Sequence, residues 1–503
     1  MAFALIAIAL SEFGAANGDD KNPPLVQAAE KNDLQKVARL LAKGHEVNQQ
    51  QADGMTALHW SVFHRNEKMT QSLLEAKAKV DVVNRYGIPV LSIACTNGDG
   101  AIVKLLLKAG ADPQTTIPGG ETVLMTASRT GRLEVVELLI SQGANVNSKG
   151  PRRQTALMWA AAEGNLKVVD RLLREGADFK TPLSSGFTPL FFAIREGRTS
   201  VALRLLKAGI DVNAPMKRNN QIRSNPLLMA VENAHYETAL ALIDAGADPN
   251  AQPRGYGVLH AITWVRKPIR GDGNPSPVGS RKISDLEFVK SAVEKGADVN
   301  LRLAKGKSGY ADFTTTGCSP FVLAARTGDL PLLRTLISLK ADPSIANKDR
   351  STALLAACGV GDLGSGQQTA GSEAEAIETA KLLLKMGADV NAVDKNGETA
   401  IHGASYQNWP RLIEFLAKNG ADIKSWNKKN RWGWTPLTIA RGYRKGNFRP
   451  DTATINMITK VMLANGFTPP PLRKPNKANQ QSWDKKKAVP KKSAGTKKGQ
   501  SKK

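Results

Sequence analysis

The chain is poor in the residues that carry most catalytic and redox chemistry. It has three cysteines in 503 residues. At positions 95, 318 and 358 they are too few and too scattered for a disulfide framework or a zinc site. It has six histidines, and His45, His64 and His235 have no cysteine or acidic cluster at metal-ligand spacing. Nucleophile-elbow, zinc-protease, phosphate-loop and dinucleotide signatures are all missing. No catalytic residue, no metal and no cofactor is therefore expected. Aromatic residues make up only 5% of the chain. The apolar stretch at 2–10 is too short to cross a bilayer, and no longer one follows, so no membrane span is expected. Acidic residues are outnumbered, 45 against 70 Lys and Arg, for a net charge of +25. Residues 470–503 hold twelve Lys or Arg and one Asp, so +11 of that excess sits in the tail. The rest is a mild basic bias over a long body.

What is abundant is a short unit, TALMWAAAEGNLKVVDRLLREGAD at 155–178. Thr155 precedes an apolar run and can cap a helix by accepting an orphan backbone N–H. In Thr188-Pro189 and Thr435-Pro436 the next residue is proline, which loses nothing at the first helical position. Gly164 allows the left-handed conformation that ends this first helix. A second helix follows, with Leu166, Val169, Leu172 and Leu173 at helical spacing, and Gly176 ends it in the same way. Helices of two to three turns are not stable alone, so the unit must bury its stripe against neighbours. The second-helix glycine recurs at 44, 110, 143, 176, 209, 246, 296, 387, 420 and 466, with Lys77 and Lys340 at the two missing places. That makes twelve units on a basic period of 33, the mark of a stacked array. Lysine at a left-handed position should cost each of those two units about 1 kcal/mol.

The sequence resembles the ankyrin-repeat family. The resemblance rests on TALHW (56–60), TALMWAA (155–161), TPLFFA (188–193), TAIHGA (399–404) and TPLTIA (435–440), and on GANVN (143–147) and GADVN (296–300 and 387–391). It implies an all-α repeat: an ankyrin-type solenoid of helix-turn-helix units joined by β-hairpin loops over 24–469, interrupted by insertions at 267–282, 303–317 and 359–373. The unit at 255–303 departs from the pattern, with GYGVLHA in place of the threonine cap. Residues 17–23 read as a linker and 470–503 as a disordered Lys-rich tail. Residues 1–16 resemble a secretory signal peptide without a basic leading region, which points to an exported, bacterial member of the family. The alternative, a frayed apolar end, implies a cytoplasmic protein. RGD at 270–272 is weak evidence for adhesion.

The resemblance also assigns roles. His59, His260 and His402 hold the fourth place of the TPLH-like motif, a structural position near cap and hairpin. The Asp of each GAD bonds its own turn. Cys95 and Cys358 stand where alanine is usual and read as core, while Cys318 falls on a hairpin loop, where exposure is expected. Partners bind the concave face made by hairpin tips and first helices. On it the matching positions give Trp60, Phe63, His64, Arg129, Trp159, Glu163, Phe192, Arg195, Arg326 and Tyr406, residue types that anchor interfaces. The aromatic-basic stretch 425–437 either adds to this surface or closes the core. The expected function is a monomeric, non-enzymatic scaffold for protein partners, with acidic ones favoured. The alternative is an electrostatic binder of nucleic acid or an anionic envelope polymer through the tail, with the repeats as spacer.

Overall fold

The computed structural model describes residues 22–267, 277–280, 282–307, 312–362, 371–444 and 449–471. Residues 1–16, the RGD tripeptide, parts of the three insertions and nearly all of the tail lie outside them. Among the described residues there are twelve pairs of short helices, from Pro24–Glu30 with Leu34–Ala42 to Pro436–Ala440 with Thr452–Ala464. They divide into two compact units. One runs to Arg254 and includes Pro277–Gly296, and the other comprises Gly255–Ser276 and everything from Ala297.

The opening unit of the sequence folds as its residues require. Thr155 accepts from the backbone N–H of Met158 and starts helix Ala156–Glu163, which Gly164 ends in the left-handed region. The second helix, Leu166–Arg174, buries Val168, Val169 and Leu172, while Leu166 and Leu173 are half-buried. Ala160 and Ala161 are fully buried, which lets successive first helices lie close together. Thr188 differs from Thr155. Its side chain makes no cap bond, and the helix start relies on Pro189. The second-helix end is left-handed at Lys77 (φ 67°) and Lys340 (φ 65°), as at the glycines. Arg65 and Ala234 occupy the same region after first helices, at φ 54° and 58°.

The loops between helix pairs are narrow hairpins. Among the described residues three are pinned by single bridges, Gln50 with Thr56, Val83 with Pro89 and Thr116 with Thr122. One grows into a true two-stranded ribbon, Met216–Arg218 against Gln221–Ser224. Asn219 and Asn220 turn it with positive φ at both positions, the geometry that two-residue hairpins prefer. Successive tips touch: a Cβ on Gly186 would lie 2.2 Å from the carbonyl oxygen of Lys217.

Three histidines join these layers. The Nδ1 of His59 accepts from the backbone N–H of Thr56 at 3.2 Å, and its Nε2 donates to the carbonyl of Ile88 in the next hairpin at 3.3 Å. His260 repeats this with Gly257 and Cys318, and His402 repeats the cap contact with Thr399. Burial holds all three rings neutral, with pKa values pushed down to about 4. Cys318 is thus buried rather than exposed, because its carbonyl receives both His260 and the backbone N–H of Leu303. Burial pushes its thiol up to about 12.

Candidate interaction face

First helices and hairpin tips place the ten candidate residues in three groups. Trp60, Phe63 and His64 form a ring cluster on the first compact unit. The Trp60 and His64 rings stack at 5.9 Å, and Phe63 meets Trp60 edge-on at 5.6 Å. The Nε2 of His64 bonds the carbonyl of Glu30 at 2.8 Å and the indole N–H of Trp60 donates to Gln51 at 3.2 Å, so both rings are fixed. Phe63 is 37% exposed, a large fraction for a phenylalanine.

The second group is Arg129, Trp159, Glu163, Phe192 and Arg195, from three consecutive first helices of the same compact unit. The Arg129 guanidinium lies 5.4 Å over the Trp159 ring and 3.4 Å from the Glu121 carboxylate. The Arg195 guanidinium covers Phe187 at 5.2 Å and Phe192 at 5.3 Å, and its Nε donates to Glu196 at 2.8 Å. Trp159 and Phe192 are half-buried and Glu163 is exposed. Between the tips at 151–154 and 183–187 Trp159, Phe192 and Arg195 line a groove of about 680 Å³, while Arg129 and Glu163 stand outside it. Phe187, Arg152 and Arg153 share its walls. The repeat pattern does not single them out, because they lie on the tips rather than on the periodic helix positions. The signal for them was an Arg pair in a turn, PRRQ, where most tips carry Gly or Asp.

The third group, Arg326 and Tyr406, is committed to contacts inside the second compact unit. Arg326 pairs through Nε with Asp362 at 3.1 Å, and a second guanidinium nitrogen also reaches that carboxylate. The Asp362 side chain is fully buried, and the Phe313 ring lies 5.0 Å below the guanidinium. Tyr406 is 0% exposed. Its hydroxyl donates to Glu398 at 2.6 Å and receives the side-chain amide of Asn430 at 3.1 Å. The aromatic stretch that follows also closes the core: Trp426 is buried, and Trp432 and Trp434 pack against Tyr406 and Ile439. Among the described residues no group of three or more His, Cys, Asp or Glu is placed to hold a metal ion. Among them, too, no helix is long and apolar enough to cross a membrane.

The human ankyrin repeat and SOCS box protein 6 is 31% identical over 110 residues, 20% of this chain and 26% of that protein. The mouse nuclear factor NF-kappa-B p105 subunit is 39% identical over 99 residues, 19% of this chain and 10% of its own length. The match thus spans about a quarter or less of these relatives. Among solved structures, the human ASB11 ankyrin repeat domain aligns at 27% identity with a TM-score of 0.40, over 45% of this chain and 99% of that one. The sequence model for ankyrin repeats (3 copies) matches in overlapping stretches from 6–84 to 157–253, and again at 369–447. With twelve helix pairs, capped first helices and left-handed helix ends recurring on that period, the chain belongs to the ankyrin-repeat family, whose repeats are in general protein-interaction modules.

Proposed function

We propose that this protein is a non-enzymatic scaffold whose protein partners dock on the hairpin tips and first helices of the first compact unit. The observation that carries this reading is the half-buried aromatic and arginine surface formed by Trp159, Phe187, Phe192, Arg129 and Arg195. Rings already ordered by neighbouring guanidinia lose little freedom on binding, and such residues supply most interface energy. The mild basic bias favours acidic partners.

The test is affinity capture from the source cells with the full chain. An Arg129→Glu/Arg195→Glu variant should lose the captured protein, with affinity down about 10-fold or more. Lys104→Glu/Lys167→Glu, on exposed second-helix positions, should retain it. Equal retention by both variants would overturn the reading.

A second reading has its own observation, the +11 charge of residues 470–503. Lysine runs neutralise phosphates or other anions without reading sequence, and such binding weakens steeply with salt. Deleting 470–503 should then abolish retention on anionic polymers while leaving capture by the helical array intact.

A further inference from the structure

We infer that the groove between Trp159 and Phe192 takes an acidic peptide segment of a protein partner, with one apolar side chain seated on the rings and carboxylates on the flanking tips. This deepens the scaffold reading and rests on it. The floor is apolar: Met158 is 3% exposed, and Trp159, Phe187 and Phe192 stand half-buried beside it. A volume of about 680 Å³ is ample for one large side chain with its backbone.

The charge argument comes from three successive tips. Residues 148–154, 181–187 and 214–224 contain no Asp or Glu. Arg152 and Arg153 are exposed and line the groove. Their side chains make no hydrogen bond or ion pair among the described residues. One tip further on, Lys217, Arg218 and Arg223 are exposed on the two-stranded ribbon, with Ile222 44% exposed among them. Gly186 keeps this ribbon in contact with the middle tip, since its missing side chain leaves room for the Lys217 carbonyl. Basic residues thus flank the neutral middle tip on both sides, with the apolar floor beside it. Arginine is the residue best suited to bidentate pairing with a carboxylate.

A single-stranded nucleic acid would need successive bases stacked on successive rings, whereas the groove offers one apolar seat bounded by two tips. The chain's own tail is excluded by its charge.

The test is fluorescence anisotropy of the full chain with a fluorescein-labelled peptide, Asp-Glu-Asp-Phe-Asp-Glu-Asp. Saturable binding is expected, weakened about 10-fold when Phe is replaced by Ser and about 10-fold by Arg152→Glu/Arg153→Glu. Arg218→Glu/Arg223→Glu on the ribbon is a second variant, with thermal melts confirming that each remains folded. No binding, equal binding of the Ser peptide, indifference to both variants, or tighter binding of an oligothymidylate of equal charge would each overturn the inference. If the peptide fails while protein capture stays sensitive to Arg129→Glu/Arg195→Glu, the acidic occupant is wrong and the scaffold stands. If capture is also insensitive, both fall.

Discussion

Asn147 clasps the turn of the following repeat at two points. Its Nδ2 donates to the carbonyl of Gly176 at 3.1 Å, and its Oδ1 accepts from the backbone N–H of Asp178 at 2.7 Å. The same clasp joins Asn213 to Gly246 and Asp248, and Asn391 to Gly420 and Asp422. At 114 a glutamine does the work, reaching Gly143 and Asn145. Each clasp satisfies a carbonyl at a helix end that has no partner within its own helix. It also ties neighbouring units by polar contacts outside the core.

Asn147→Ala should therefore cost about 1 kcal/mol for each hydrogen bond lost. The local reading is amide exchange. The Asp178 N–H should exchange faster by about 10-fold or more, while buried amides in helix Ala156–Glu163 stay protected. Unchanged exchange at Asp178 would show that water replaces the asparagine without cost.

Lys77 and Lys340 adopt positive φ at the second-helix end, where the other units have glycine. At the equivalent Gly110 and Gly176 a Cβ would meet nothing within 4 Å, so the preference for glycine here is conformational and not a matter of space. Lys77→Gly and Lys340→Gly should each stabilise the chain by about 1 kcal/mol, and Gly110→Lys should destabilise it similarly. Denaturant midpoints of the full chain check both directions. A fall in midpoint for Lys77→Gly would mean that unfolded-chain entropy outweighs the relieved strain.

The period of 33 and the threonine caps made the helix pairs legible, because each is dictated by local chemistry: an N-cap oxygen, an apolar stripe, a residue free to turn left-handed. Which of the candidate side chains stay at the surface was legible only where no long-range partner intervenes. Arg195 and Arg326 occupy matching positions and look alike in sequence. Arg326 differs because the next unit brings Asp362, 36 residues downstream, against it. Tyr406 aligns with Phe63, yet its hydroxyl can satisfy buried Glu398 and draws the ring inward, while Phe63 has nothing to offer and stays exposed. The clasping asparagines were in plain view within GANVN and GADVN. Their role was hidden because its partner lies one repeat away.

Glu398 makes the second compact unit sensitive to pH. Its carboxyl is buried beside the Tyr406 hydroxyl and the Asn430 amide, with buried Asp394 on the same hairpin and Arg444 on the Tyr406 carbonyl. Burial lifts its pKa from 4.5 to about 8, and Asp394 is shifted in the same direction, again by burial. Between these limits the unfolded chain has an ionised carboxylate where the folded one keeps its proton. The contribution is thus fully present below about pH 4.5 and is lost as pH rises through about 8. The loss should be on the order of a few kcal/mol. The neutral buried His260 and His402 oppose this trend over the same range. Denaturant midpoints of wild type and Glu398→Gln, which cannot ionise, are therefore compared at pH 5 and at pH 8, where the histidine contribution is common to both. Relative to wild type the variant should gain on the order of a few kcal/mol between the two pH values; a gap between them that does not change with pH would assign the effect elsewhere.

The Arg326–Asp362 pair gives a test that separates a structural arginine from those proposed to bind. Removing Arg326 leaves a buried carboxylate without its cation, which typically costs about 3–5 kcal/mol. Arg326→Ala should therefore lower the stability of the second compact unit strongly, while leaving peptide binding by the groove at Trp159 unchanged. Arg195→Ala should do the reverse, because its guanidinium is exposed and, among the described residues, its only carboxylate contact is Glu196 on the surface. Replacing both members of the buried pair with apolar residues, as in Arg326→Met/Asp362→Leu, should recover most of the lost stability, since no charge is then left without a partner. Midpoint shifts for the two single variants and the double variant, measured alongside anisotropy with the acidic peptide, form a complete test. Loss of peptide binding in Arg326→Ala with its fold intact would return Arg326 to the interaction face.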